Sequence, residues 1–128
     1  MAKPKIAVVN DDTAYLDMMR ELLDQEGYDT IIHKEHQTAH DVLRRENPDL
    51  AIVDVRLEHP ESGWAIVELL RLDPHTVHIP VLVTSTDSRI HEKAPLLTHQ
   101  GCDVLEKPFD LDDLLAKVGQ MIGRPQQT

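Results

Sequence analysis

The 128-residue sequence predicts an α/β fold: one five-stranded parallel sheet with helices on both faces. Three observations point to it. Five short apolar runs alternate with segments whose apolar residues recur at spacings of three and four, the pattern of a parallel sheet connected by crossover helices. The strands read as continuous apolar runs rather than alternating ones, as strands buried on both faces do. Aliphatic residues dominate, since hydrophobic residues make up 41% of the chain and aromatics only 3%. The length suits one domain with one core.

The elements follow in order. Lys5 to Val9 is a short apolar run rich in β-branched residues, a first strand. Thr13 to Glu26 sets Tyr15, Met18, Met19, Leu22 and Leu23 at helical spacing, and Gly27 is a C-terminal stop. Thr30 to His33 is a second strand, and Thr38 to Glu46 a weaker helix with Ala39, Val42 and Leu43 on one side. The turn Asn47-Pro48-Asp49 leads into LAIVDV, residues 50–55, a third strand. Trp64 to Leu72 is helical. Pro80 followed by VLVT is a fourth strand. A helix is expected within 88–100, but Pro95 falls inside it and should delay or kink it. Cys102 to Leu105 is a fifth strand. Asp110 then caps a helix whose apolar face is Leu111, Leu114, Leu115, Val118, Met121 and Ile122. The folded domain is thus expected over 1–123, with 124–128 a frayed, disordered tail.

Charge and composition exclude several functions. With 13 basic and 23 acidic residues the net charge is −10, which disfavours direct binding to a nucleic-acid backbone or an anionic membrane surface. The single cysteine, Cys102, excludes an intrachain disulfide. The N-terminus has no signal-peptide pattern and no apolar run reaches spanning length, so a cytoplasmic location is expected.

In doubly wound folds ligands bind beyond the carboxyl ends of the strands. Asn10, Asp11 and Asp12 follow the first strand; Asp54 lies at the end of the third; Thr84, Ser85 and Thr86 end the fourth; Lys107 follows the fifth. Carboxylates, hydroxyls and an ammonium should therefore share one edge. Such a set suits a hard cation such as Mg²⁺, a carboxylate nucleophile toward phosphorus, and an ammonium that neutralises phosphoryl oxygens.

In these residues the chain resembles the response-regulator receiver domain of two-component signalling. The resemblance covers essentially the whole chain. It rests on the acidic cluster after IAVV, the PDLAIVD run ending at Asp54, the Pro-Val-Leu-Val-Thr-Ser stretch and the Lys107-Pro108-Phe109 triplet. It implies a flavodoxin-like fold of strand order 2-1-3-4-5. By resemblance Asp54 is the phosphoacceptor and Lys107 the phosphate-pairing ammonium. Mg²⁺ is held by Asp11, Asp54 and the backbone carbonyl of Arg56, with Asn10 a weak or water-mediated ligand. Ser85, five residues after Pro80, is the switch hydroxyl. Thr84 is the alternative, but alternation along the strand is expected to turn it to the other face. Pro108 should form a cis-proline turn.

The same resemblance implies a signalling phosphoacceptor, not a turnover enzyme. Its donor would be a histidine kinase or histidine phosphotransfer protein. Its output would be contact with a further protein or dimerisation through the fourth and fifth helices, with no direct nucleic-acid or membrane contact and, if the 128 residues are complete, no effector domain.

Four features depart from the family pattern. Asn10 replaces the usual first carboxylate, which should weaken Mg²⁺ binding without abolishing it. The loop VRLEHPESG is one residue longer than usual, and the stretch from Gly101 to Lys107 one residue shorter. Val104 takes the position usually held by a Tyr or Phe that swings with the switch hydroxyl, and a Val has no comparable excursion. These motivate a second reading, a pseudo-receiver that acts as a phosphorylation-independent interaction module. A third, an aspartate-nucleophile phosphatase or flavin carrier, is disfavoured: Asp54-Val55-Arg56 lacks a second carboxylate two residues on, no phosphate-binding Gly-rich motif is present, and aromatics are scarce.

Plainer roles compete at single positions. Asp11 or Asp12 could cap the first helix, Val104 is most simply core, and Trp64 is expected to pack or to lie at an interface. His36 and His40 share a helix face near His33, yet solvated histidines are the default reading.

Overall fold

The computed structural model of the chain describes residues 3–55, 64–92, 95 and 101–123. Five parallel strands form one sheet of order β2-β1-β3-β4-β5: β1 (Lys5–Val9), β2 (Asp29–His33), β3 (Leu50–Asp54), β4 (Val81–Ser85) and β5 (Cys102–Glu106). The helices are α1 (Thr13–Gln25), α2 (His36–Glu46), α3 (Trp64–Leu72), a fourth, α4, that opens at residue 90, and α5 (Leu111–Ile122). The expected fold and strand order are both present. Several bounds shift by one or two residues from the sequence reading: α2 starts two residues earlier, at His36, β2 one earlier, at Asp29, and β4 is displaced by one, to Val81–Ser85, while α1 and β3 end one residue sooner and β5 one residue later.

The central strands are apolar along their length because each face of the sheet is covered. On one face Ile6, Val8, Leu50, Ile52 and Leu82 pack against Leu16, Met19 and Leu23 of α1 and Leu114 and Val118 of α5. On the other, Val9, Val53, Val81 and Val83 meet Ala39 and Leu43 of α2 and Ile66, Val67 and Leu70 of α3. Each fully buried aliphatic side chain contributes about 1.5–3 kcal/mol relative to exposure. Trp64 packs against the second of these layers.

Helix ends follow the local chemistry. The Asp12 carboxylate accepts from the backbone N–H groups of Ala14 and Tyr15 at 3.0 and 3.3 Å, which makes Asp12 the cap of α1. Such a cap contributes about 1 kcal/mol. Gly27, at φ 92°, ends α1 in a conformation that favours glycine. Asp110 stands at the N-cap of α5 with extended backbone, but its side chain makes no capping hydrogen bond. The expected cap is therefore positional only, and Asp112 and Asp113 supply negative charge to the first turn instead. Pro95 is helical and exposed; the rest of 93–100, and residues 56–63, lie outside the described residues.

Two histidines of the α2 region, His33 and His40, serve the scaffold. His33 Nε2 lies 2.8 Å from Thr38 Oγ1, and His40 Nε2 lies 2.8 Å from Asp73 Oδ2, tying α2 to the turn after α3. Among the described residues no group of three His, Cys, Asp or Glu side chains is placed to hold a metal ion. No helix among them is long and apolar enough to cross a membrane.

Candidate functional site

The carboxyl ends of β1 and β3, with the residues following β4 and β5, open onto a cleft of about 350 Å³. Among the described residues it is lined by Asn10, Asp12, Tyr15, Asp54, Val55, Thr86 and Lys107. Three of the strand ends expected to converge therefore supply the lining directly, and β4 supplies it through Thr86.

Asp54 is the centre. It is the last residue of β3, so its backbone is held by the sheet while its carboxylate reaches the edge. Lys107 Nζ stands 2.8 Å from Asp54 Oδ1, and both side chains are only 18% exposed. The ammonium also lies 4.3 Å from the centroid of the Tyr15 ring, a cation–π seat. The backbone N–H of Lys107 donates to the carbonyl of Ser85 at 2.7 Å, which ties the residue to the end of β4. The Lys107–Pro108 bond is cis, as expected.

The fourth strand corrects one expectation. Thr84 was expected to face away from the site, yet its Oγ1 donates to Asp54 Oδ1 at 3.1 Å. The cause is register: Asp54 and Thr84 are paired across the parallel ladder between β3 and β4, and residues in register point to the same face. Ser85, one residue on, is buried and accepts from the backbone N–H of Asp87 at 3.1 Å. Asp87 is in turn fixed by Arg89, whose guanidinium and N–H hold its carboxyl down at about 2.

At the end of β1, Asn10 is buried and its Oδ1 accepts from the backbone N–H of Asp12 at 2.9 Å. Asn10 thus shapes the acidic turn as well as lining the cleft. Asp11 is exposed and is not among the lining residues, whereas Asp12 both caps α1 and lines the cleft. Arg56 lies outside the described residues. The donors at hand are amide and carboxylate oxygens, hard ligands of the kind Mg²⁺ accepts with several retained waters. The chemistry of this set fits Mg²⁺ and does not suit a soft transition metal.

Val104 is buried in β5 opposite Val83, where it serves as core. Tyr15 is the residue whose role sequence reasoning missed: its helical spacing marked it as core, and it does pack there. Its position three residues after the cap, on the turn of α1 nearest the strand ends, was the available signal. Its phenol oxygen is buried without a hydrogen-bond partner among the described residues, and burial, reinforced by the charge of Asp54, pushes its pKa up.

A shielded strand-end carboxylate, an ammonium on it, a hydroxyl from the adjacent strand and hard oxygens across the cleft gather at the carboxyl edge of a doubly wound α/β domain. The chain belongs to the response regulator receiver domain family, whose model matches residues 6–119. It is 31% identical over 127 residues to the DNA-binding dual master transcriptional regulator RpaA of Synechocystis sp., an alignment covering 94% of this chain and 50% of that protein. It is 28% identical over 121 residues to the polar-differentiation response regulator DivK of Brucella ovis, covering 92% of this chain and 95% of that one. The chain spans about half the length of the first curated relatives it matches. Its fold matches the crystal structure of a response regulator from Thermotoga maritima with a TM-score of 0.75 at 30% identity, covering 94% of this chain and 98% of that one. Receiver domains are the phosphoacceptors of two-component systems and bind Mg²⁺ at their acidic site.

Proposed function

We propose that Asp54 accepts a phosphoryl group from the phosphohistidine of a histidine kinase or histidine phosphotransfer protein. The observation that carries this reading is the convergence of Lys107 and Asp54 at the mouth of the cleft. An Asp54 oxygen attacks phosphorus as the phosphorus–nitrogen bond breaks, and the histidine nitrogen takes the bonding pair. Lys107, on a flexible stem, follows the new charge onto the phosphoryl oxygens. Tyr15 limits where that ammonium can move.

Asp11, Asp54, the Arg56 carbonyl and, through water, Asn10 would hold Mg²⁺. The ion would supply charge neutralisation on the phosphoryl oxygens. Asp12 adds negative charge to the same cleft. Ser85 is the switch hydroxyl of this reading: it ends β4 beside the cleft and shares its carbonyl with the Lys107 N–H. The output is protein–protein contact, by a partner or by dimerisation through α4 and α5, in the cytoplasm and without direct contact to nucleic acid or membrane. The domain assists its own phosphorylation and dephosphorylation and does not turn over an external substrate.

The buried Val104 favours a second reading, in which binding to a partner does not depend on phosphorylation. Incubation with acetyl phosphate and Mg²⁺ tests the first: intact mass should rise by one phosphoryl group, and Asp54→Asn should abolish the rise. A pull-down with and without beryllofluoride separates the two, since the pseudo-receiver captures the same partners in both.

A further inference from the structure

Both donors that the described residues bring to Asp54 converge on one oxygen. Lys107 Nζ and Thr84 Oγ1 meet Oδ1 at 2.8 and 3.1 Å. The two donors differ in freedom. The lysine stem can swing, but Thr84 is fully buried in the sheet, branched at Cβ and held in register with Asp54.

We infer that Thr84 sets the lifetime of phosphorylated Asp54 by holding the carboxyl oxygen that does not carry the phosphoryl group. This rests on the reading of Asp54 as phosphoacceptor. With Oδ1 held by Thr84, Oδ2 is the oxygen that bonds phosphorus. Oδ1 then becomes the carbonyl oxygen of the acyl phosphate, and the short Thr84 side chain stays on it.

In hydrolysis the oxygen of a water molecule bonds phosphorus, the phosphorus–Oδ2 bond breaks, and its electron pair returns to the carboxylate. The products are inorganic phosphate, which keeps the water oxygen, and ionised Asp54, with the released proton passing to solvent. Negative charge on Oδ1 grows along this step from that of a carbonyl to that of a carboxylate. A hydrogen bond to an ionised acceptor is roughly twice as strong as one to a neutral acceptor. The Thr84 bond is therefore stronger in the transition state than in the acyl phosphate, and that difference accelerates the step. Ser85, which accepts from the turn at Asp87, has no such contact with Asp54 in this structure.

The test is the half-life of the phosphorylated full chain after removal of acetyl phosphate, read by intact mass, with folding checked by circular dichroism. Thr84→Val keeps the shape and removes the hydroxyl, and should lengthen the half-life about three- to tenfold. Thr84→Ser should restore it to within about twofold. If Thr84→Val does not fold, Thr84→Ala is read the same way. A half-life unchanged in the folded hydroxyl-free variant, or not restored by serine, overturns the inference while leaving Asp54 as acceptor. If the unaltered chain takes up no phosphoryl group at Asp54, the acceptor reading and this inference fall together.

Discussion

Lys107 Nζ lies 2.8 Å from Asp54 Oδ1, bridging the loop after β5 to the end of β3 across the intervening strand β4. The pair is mostly shielded from solvent, so the ammonium is an oriented charge at the mouth of the cleft and not a solvated surface lysine. Replacing it with the apolar isostere, Lys107→Met, should slow phosphorylation by acetyl phosphate about 10²-fold, the scale of losing one preorganised charge donor at a reacting group. The same variant should lose about 1–3 kcal/mol of stability, because Asp54 is left without its ammonium partner in a mostly shielded site. Initial rates and urea denaturation measure the two effects. A rate within threefold of the unaltered chain would remove Lys107 from the chemistry.

Tyr15 offers its ring and its hydroxyl separately. The ring seats Lys107, an interaction of about 0.5–2 kcal/mol. The hydroxyl is buried without a partner among the described residues. Tyr15→Phe should therefore be neutral or stabilising by about 1 kcal/mol in urea denaturation, with the phosphorylation rate preserved. Tyr15→Leu keeps apolar bulk and loses the seat, so its phosphorylation rate should fall several-fold. Equal rates for the two variants would show that the ring does not position Lys107.

Asn10 accepts from the Asp12 N–H through Oδ1, a bond that a carboxylate at this position can also accept. Asn10→Asp should leave the turn intact and add one negative charge to the cleft. Mg²⁺ affinity, read by isothermal titration calorimetry, should rise several-fold. Unchanged or weaker binding would place residue 10 outside the shell of the metal.

Asp87 links stability to acid. Its folded carboxyl sits at about 2, below the ordinary value of 3.8, chiefly because the Arg89 side chain bonds it. A depressed folded pKa gives stability that is fully present above the unfolded value and is lost as pH falls toward the folded one. The contribution of Asp87 should therefore vanish between about pH 4 and pH 2. Asp87→Asn should flatten that part of the stability profile in urea titrations at stepped pH. An unchanged slope in this window would mean that the Arg89 contact is not maintained in solution.

The sheet was legible because buried parallel strands are nearly continuous apolar runs, and IAVV, LAIV and VLV have no other economical reading. Asp54 and Lys107 were legible as strand-end residues, since topology alone carries both to the same edge. The face of Thr84 was not. It depends on which residue of β4 stands opposite Asp54, and register is set by the whole ladder, not by the local sequence. Tyr15 was read correctly as packed but not as a wall of the site, because helical spacing shows which side a residue faces and not what stands above it. Asp12 and Asp110 looked alike as caps, yet only Asp12 bonds the helix, a difference of side-chain rotamer that composition cannot express.

Reductive trapping tests the central assignment most directly. Borohydride converts an aspartyl phosphate to homoserine and leaves a free aspartate unchanged. After incubation with acetyl phosphate and Mg²⁺, followed by borohydride and peptide sequencing, homoserine should appear at position 54 and only in samples that received the phosphodonor. Homoserine at another aspartate, or an unreduced Asp54 in a sample whose intact mass shows the added phosphoryl group, would contradict the account.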